Sequence, residues 1–219
     1  MWNIWCKFTK AINEYELVKP GDRIAVCISG GKDSMLLAKL FQELKRHNKF
    51  DFEVKFLVMD PGYSPVNRQV IEENARRLEI PIEIFESEIF ESVFNIEKSP
   101  CYLCARMRRG YLYSHAKELG CNKISMAHHA DDAVETLVMN TIYNGFLSTF
   151  KPKMYLDRTD VTFIRPLVYC YEDDIIAAAN RHVPIVPSTC PMDKHTSRED
   201  VKQLLKKLYA EFPMAKQNM

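Results

Sequence analysis

No apolar run in this chain approaches the ~18 residues that a bilayer-spanning helix needs. Its first residues, Met1-Trp2-Asn3-Ile4-Trp5-Cys6-Lys7, lack the basic segment and uninterrupted apolar core of a signal peptide. Both absences point to a cytoplasmic protein with no membrane partner. Surplus charge is missing too: 30 Lys and Arg stand against 29 Asp and Glu, a net charge of +1. That excludes wholesale binding of polyanions and confines any nucleic-acid surface to a local basic patch. There is no repeat and no low-complexity linker. Seven cysteines, an odd number without export signals, argue for thiols and ligands rather than a disulfide framework.

What is present suffices for a core: 47% of the 219 residues are hydrophobic and 27% charged. Trp5, Phe8, Ile12 and Tyr15 repeat at helical spacing over 3–18, and Pro20-Gly21-Asp22 then breaks the chain. An N-terminal helix, 1–20, thus precedes a single domain, 21–219. Strands are expected at 23–28, 52–59, 82–85, 123–127 and 161–164. Helices are expected at 33–47, 66–78, 103–119, 131–143, 173–181 and 198–210, with Ser99-Pro100-Cys101 in a loop. Such alternation predicts an α/β fold, an open parallel sheet with helices on both faces and right-handed crossovers. Ligands in these sheets sit beyond the carboxyl ends of the strands. The motifs fall there.

Ser29-Gly30-Gly31-Lys32-Asp33-Ser34 ends the first strand and opens a helix. Two glycines allow a tight turn and let a phosphate approach the amides without a Cβ in the way. The helix start adds unpaired N–H groups and the positive end of a dipole. Lys32 supplies a point charge, and Ser29 and Ser34 supply hydroxyl donors. Asp33 makes sense in an anion cradle if it meets Mg²⁺; otherwise it is an N-cap in an ordinary turn. The spacing is not that of a Walker A loop. A second block, Ala127-His128-His129-Ala130-Asp131-Asp132-Ala133-Val134-Glu135-Thr136, lies at another strand-to-helix junction, roughly a hundred residues on.

The loop resembles the signature of the N-type ATP pyrophosphatases, the PP-loop family, which split ATP between the α and β phosphates. The second block resembles the His-His-x-Asp-Asp-x-x-Glu-Thr block that lines the nucleotide site in the family's tRNA-modifying members. The resemblance implies catalytic roles for Lys32, Asp33, Asp131 and Asp132. It implies ATP and Mg²⁺ contacts from residues 29–34 and His128. Asp60, ending the second strand, takes the place where the family holds adenosine, although acids also end strands in plain turns.

Cys101-Tyr102-Leu103-Cys104 is a lone C-x-x-C pair. Cys27 and Cys170 lie in apolar runs and read as core, whereas Cys190 lies in the Pro-flanked Ser188-Thr189-Cys190-Pro191. Cys101, Cys104 and Cys190 suit an iron–sulfur cluster with one open iron. Spacing alone leaves open zinc with His195 as fourth ligand, disulfide chemistry, or no joint role. The stretch from Pro100 to Pro191, with Cys-x-x-Cys-Ala-Arg-x-Arg-Arg-Gly and Ile164-Arg165-Pro166-Leu167, is similar to the tRNA 2-thiocytidine synthetase family. That resemblance implies a 4Fe–4S cluster on the three cysteines. The chain is shorter than many members, and with one C-x-x-C it lacks the zinc-finger modules of other relatives.

Lys98, Arg106, Arg108 and Arg109 crowd the C-x-x-C pair, and Lys151 and Lys153 form a second cluster. Each alone reads as a solvated helix charge; together they favour contact with a phosphate backbone. The expected activity is ATP-dependent thiolation of a cytosine in a tRNA anticodon loop. Sulfur would come from inorganic sulfide or a cysteine desulfurase persulfide. The rival readings are a PP-loop sulfur transferase for a small molecule, a lysidine-synthetase-like enzyme, and a non-catalytic nucleotide- or zinc-binding protein. The aromatic N-terminal helix has two packings open to it, inside the chain or across a homodimer.

Overall fold

The computed structural model describes residues 2–87, 89, 100–157, 159–182 and 197–219, with the backbone alone at 2, 100–102 and 180–182. In chain order the elements are α1 (Trp2–Glu14), β1 (Arg23–Ile28), α2 (Lys32–His47), β2 (Glu53–Asp60), α3 (Pro65–Arg77) and β3 (Ile82–Glu86). There follow α4 (Pro100–Glu118), β4 (Lys123–Ser125), α5 (Ala130–Met139), β5 (Lys153–Leu156), β6 (Val161–Ile164), α6 (Glu172–His182), α7 (Ser197–Glu211) and α8 (Ala215–Asn218).

β1 is central because it is apolar on both faces. Ile24, Val26 and Ile28 join one core with residues of α1, α2, α3 and α6, while Ala25 and Cys27 join another with Leu112 and Ala116 of α4. Each fully buried aliphatic or aromatic side chain in these layers stabilises the fold by roughly 1.5–3 kcal/mol. The sheet order is β3-β2-β1-β4-β6-β5. The five expected strands are present and pair in parallel. One correction concerns β5, which adds an antiparallel edge to β6 and makes the sheet mixed. Its four residues, Lys-Met-Tyr-Leu, are too short to show a period in sequence.

The strand order reverses between β1 and β4, and ligand crevices open at such a switch point. There the first strand runs into Ser29 and the fourth into Ala127-His128. α4 starts at Pro100 instead of Leu103, so Cys101 lies in the first turn of the helix with Cys104 rather than in the loop before it. Proline is at home in a first turn because its missing N–H would be unpaired there anyway. α5 ends at Met139 and passes into a π-turn, Asn140–Asn144, stopped by Gly145 at φ 71°.

α1 fills its apolar face within the chain. Phe8 is fully buried and meets Phe41 edge-on at 5.6 Å, and Lys7 pairs with Asp174 at 2.6 Å. The opposite end of the sheet is held by a buried pair, Lys123 Nζ to Asp22 Oδ2 at 2.6 Å, with the ammonium also donating to Leu17 O. No helix among the described residues is long and apolar enough to cross a membrane.

Candidate functional site

The loop after β1 needs its glycines for different reasons. Gly30 has φ 84°, and a Cβ there would lie 2.6 Å from Ile71 Cγ1 of α3. Gly31 is the N-cap of α2, with no side-chain cap, so the amides at this helix start are left for a ligand. Asp33 is therefore not the cap. Ser34 Oγ accepts from Ser29 N at 3.1 Å and donates to Gly31 O at 2.9 Å, which fastens the loop to itself. Asp33 Oδ2 lies 3.2 Å from Lys32 Nζ, while its Oδ1 is buried with no hydrogen-bond partner. A buried, orphaned carboxylate oxygen beside uncapped amides fits a Mg²⁺–phosphate ligand.

A cavity of about 250 Å³ joins the separated motifs. Ser29, Asp33 and Ser34 line it together with Ala127 and His128, and Tyr63, Arg108 and Leu112 complete the wall. Burial pushes the His128 imidazole down to about 4, with Arg165, Arg198 and His129 adding to the shift against the opposing charge of Asp132. Its Nδ1 has no partner, and its ring lies 5.2 Å from Phe150. Cys27 also lines the cavity, but burial pushes its thiol up to about 12, so it stays protonated.

The acids of the second block do more structural work than the sequence indicates. His129 caps α5: its Nδ1 accepts from Asp132 N at 3.4 Å, and Asp132 Oδ2 accepts from His129 N at 3.0 Å. Asp131 Oδ2 accepts from Glu172 N at 2.6 Å, which fixes the start of α6. Asp60 closes a turn by accepting from Gly62 N and Tyr63 N, in a neighbouring cavity that Arg68 and Glu86 share.

α4 places Cys104, Arg108 and Leu112 four residues apart, hence on one helix face. Burial raises the Tyr63 phenol; Cys104 adds to that, and Arg108 opposes it. Cys104, half-buried, is thus near the cavity wall. Arg108 belongs to that wall, whereas Arg106 and Arg109 are exposed, with Arg109 Nε donating to Ala105 O. Lys151 is exposed, and Lys153 Nζ donates to Glu16 O at 3.0 Å, away from the arginines. Lys98, Cys190 and His195, and the side chain of Cys101, lie outside the described residues.

Sequence reasoning missed the contribution of the C-terminal helices. Arg198 reaches Glu135 at 3.0 Å and Asp132 at 3.5 Å, Lys202 reaches Glu172 at 2.7 Å, and Lys216 reaches Asp131 at 3.5 Å. Arg165 is also buried, stacked over Phe150 and donating to Lys151 O.

Residues 3–203 match the PP-loop domain family. A tRNA-cytidine(32) 2-sulfurtransferase of Pelobacter propionicus is 36% identical over 216 residues, 96% of this chain and 80% of that protein. The protein of the same name from Coxiella burnetii is 35% identical over 215 residues, covering 96% and 84%. Among solved structures, the U34-tRNA thiolase NcsA from Methanococcus maripaludis, with its 4Fe–4S cluster, superposes with a TM-score of 0.79 at 21% identity, over 98% of this chain and 74% of that one. An NH3-dependent NAD synthetase from Campylobacter jejuni shares the fold at a TM-score of 0.52 and 16% identity, covering 98% and 87%. The chain belongs to the PP-loop family, among the relatives of the tRNA-cytidine(32) 2-sulfurtransferases.

Proposed function

We propose that this chain is an ATP-dependent sulfurtransferase that replaces the C2 oxygen of an anticodon-loop cytosine with sulfur. The observation that carries the reading is the one cavity walled by Asp33, His128 and Arg108, which come from the glycine loop, the second block and the C-x-x-C helix. In the first step the C2 oxygen attacks the α-phosphorus of ATP and pyrophosphate leaves. In the second, sulfide adds at C2 and the oxygen departs with AMP. Esterification is needed because an amide-like oxygen is a poor leaving group.

The amides at the start of α2 and the Lys32 ammonium bind the phosphates, and Asp33, with its buried unpartnered oxygen, would hold Mg²⁺, which would offset phosphate charge. His128, neutral at pH 7, offers a hydrogen bond without adding charge. Asp131 and Asp132 hold the helix starts that frame the site. Cys101, Cys104 and Cys190 are the soft donor set for a 4Fe–4S cluster, which supplies the iron chemistry of sulfur delivery. Exposed Arg106, Arg109 and Lys151 meet the tRNA backbone. The enzyme works in the cytoplasm on sulfide or a desulfurase persulfide; with α1 packed inside the chain, a homodimer would use another surface.

Protein prepared without air, given tRNA and sulfide, is expected to turn ATP into AMP and pyrophosphate. Lys32→Ala and Asp33→Asn should lower that turnover by roughly a hundredfold, since a lost contact to developing charge costs about 3 kcal/mol. Their circular dichroism should be unchanged. Formation of ADP, or near-normal turnover in both variants, contradicts the reading.

A further inference from the structure

Glu172, the first residue of α6, has its carboxylate between two ammonium groups that sequence keeps far apart. Its Oε1 lies 3.4 Å from Lys32 Nζ and its Oε2 lies 2.7 Å from Lys202 Nζ. Among the described residues that carboxylate has no other ion-pair or hydrogen-bond partner. Burial works against its charge, but the hydrogen bond from Lys202 and the charges of Lys202 and Lys32 outweigh it and hold the carboxyl below the usual range. Lys202 arrives there because Val201 and Leu205 of α7 are buried and Arg198, one turn earlier, is tied to Glu135 of α5. Its neighbours Arg198 and Lys216 differ, since each pairs with a carboxylate that also accepts a backbone N–H at a helix start, Asp132 and Asp131.

A single carboxylate with one oxygen on each of two lysines is the arrangement that a bridging phosphate oxyanion would adopt. The two lysines converge beside the uncapped start of α2, where a polyphosphate would add amide contacts that Glu172 cannot reach. A diphosphate carries more negative charge than the carboxylate and gains from both. We propose that Lys202 joins Lys32 in binding the pyrophosphate end of the nucleotide, and that Glu172 stands in for that anion when the nucleotide is absent. This rests on the reading of the site as an ATP pyrophosphatase site. Lys202 is then a binding residue that the C-terminal helix supplies to the glycine loop.

Calorimetric titration with pyrophosphate (no added Mg²⁺), ATP and AMP tests it on the wild type, Lys202→Met, Lys202→Arg and Glu172→Gln. Lys202→Met should bind pyrophosphate and ATP roughly tenfold more weakly, as expected for one charge-assisted contact. AMP binding should stay within about twofold, because the AMP phosphate does not need this lysine. Lys202→Arg should recover part of the loss, and Glu172→Gln should bind pyrophosphate more tightly than the wild type. If Lys202→Met binds pyrophosphate like the wild type, or weakens AMP as much as ATP, the lysine only glues α7 in place and the proposal fails alone. Weaker pyrophosphate binding by Glu172→Gln overturns the stand-in role. A wild type that binds neither ATP nor pyrophosphate overturns the ATP-site reading along with it.

Discussion

His128 shows how much of the site depends on single side chains being kept out of water. Its folded pKa of about 4 lies below the ordinary 6.5. Between those values the unfolded chain binds a proton that the folded chain excludes, so stability is full above pH 6.5 and falls as the pH drops towards 4. This one group accounts for up to roughly 3 kcal/mol of that loss. Urea melts at pH 7 and pH 4.5 should therefore show a smaller acid loss in His128→Gln than in the wild type. Equal losses would mean that the imidazole titrates normally. At this scale the sequence displayed the chemistry-bearing residues but not their division of labour. Asp33, Ser34, His128 and Arg108 all line the cavity, but Ser34 spends its hydroxyl on the loop, and His129 and Asp132 spend their polar atoms on a capping box. Residue type and spacing are the same for both uses, and only the direction of each side chain separates them.

Among the elements, α4 carries the most chemistry per turn. It opens on Pro100, holds Cys101 in its first turn, carries the half-buried Cys104 one turn on and sets Arg108 in the cavity wall. Air-free protein should contain about four irons per chain with matching acid-labile sulfide. Cys101→Ser, Cys104→Ser and Cys190→Ser should each lose them. Cys27→Ser should keep them, since that thiol stays protonated in β1. Stoichiometric zinc without sulfide would establish the Cys₃His alternative with His195. The strand–helix alternation was legible because the parallel strands are continuous apolar runs such as Ile24-Ala25-Val26-Cys27-Ile28. β5 was not, being four residues long. The role of α7 and α8 was hidden for another reason: Arg198 and Lys202 of α7 and Lys216 of α8 find their acids on α5 and α6, so along the chain they read as solvated charges.

For the whole molecule, near-neutrality is compatible with an RNA substrate when the contact is a local basic patch, for which α4 offers the exposed Arg106 and Arg109. Arg109→Glu should weaken tRNA binding and flatten its salt dependence while leaving ATP binding intact. Arg108→Glu should impair ATP binding as well, because Arg108 lines the same cavity as Asp33 and His128. Identical effects of the two charges on both ligands would contradict that division. A base must be splayed out to reach a cavity of this size, which single-stranded loops allow at least cost. The sheet's switch point makes this possible, bringing the ends of β1 and β4, roughly a hundred residues apart, to one crevice that α4 lines with Arg108 and Leu112. The most direct measurement is nucleoside mass analysis of unmodified tRNA after incubation with the cluster-loaded protein, ATP, Mg²⁺ and sulfide. The predicted result is 2-thiocytidine, formed in step with AMP. Unchanged tRNA from protein with an intact cluster, while a small metabolite gains sulfur, would contradict the assignment.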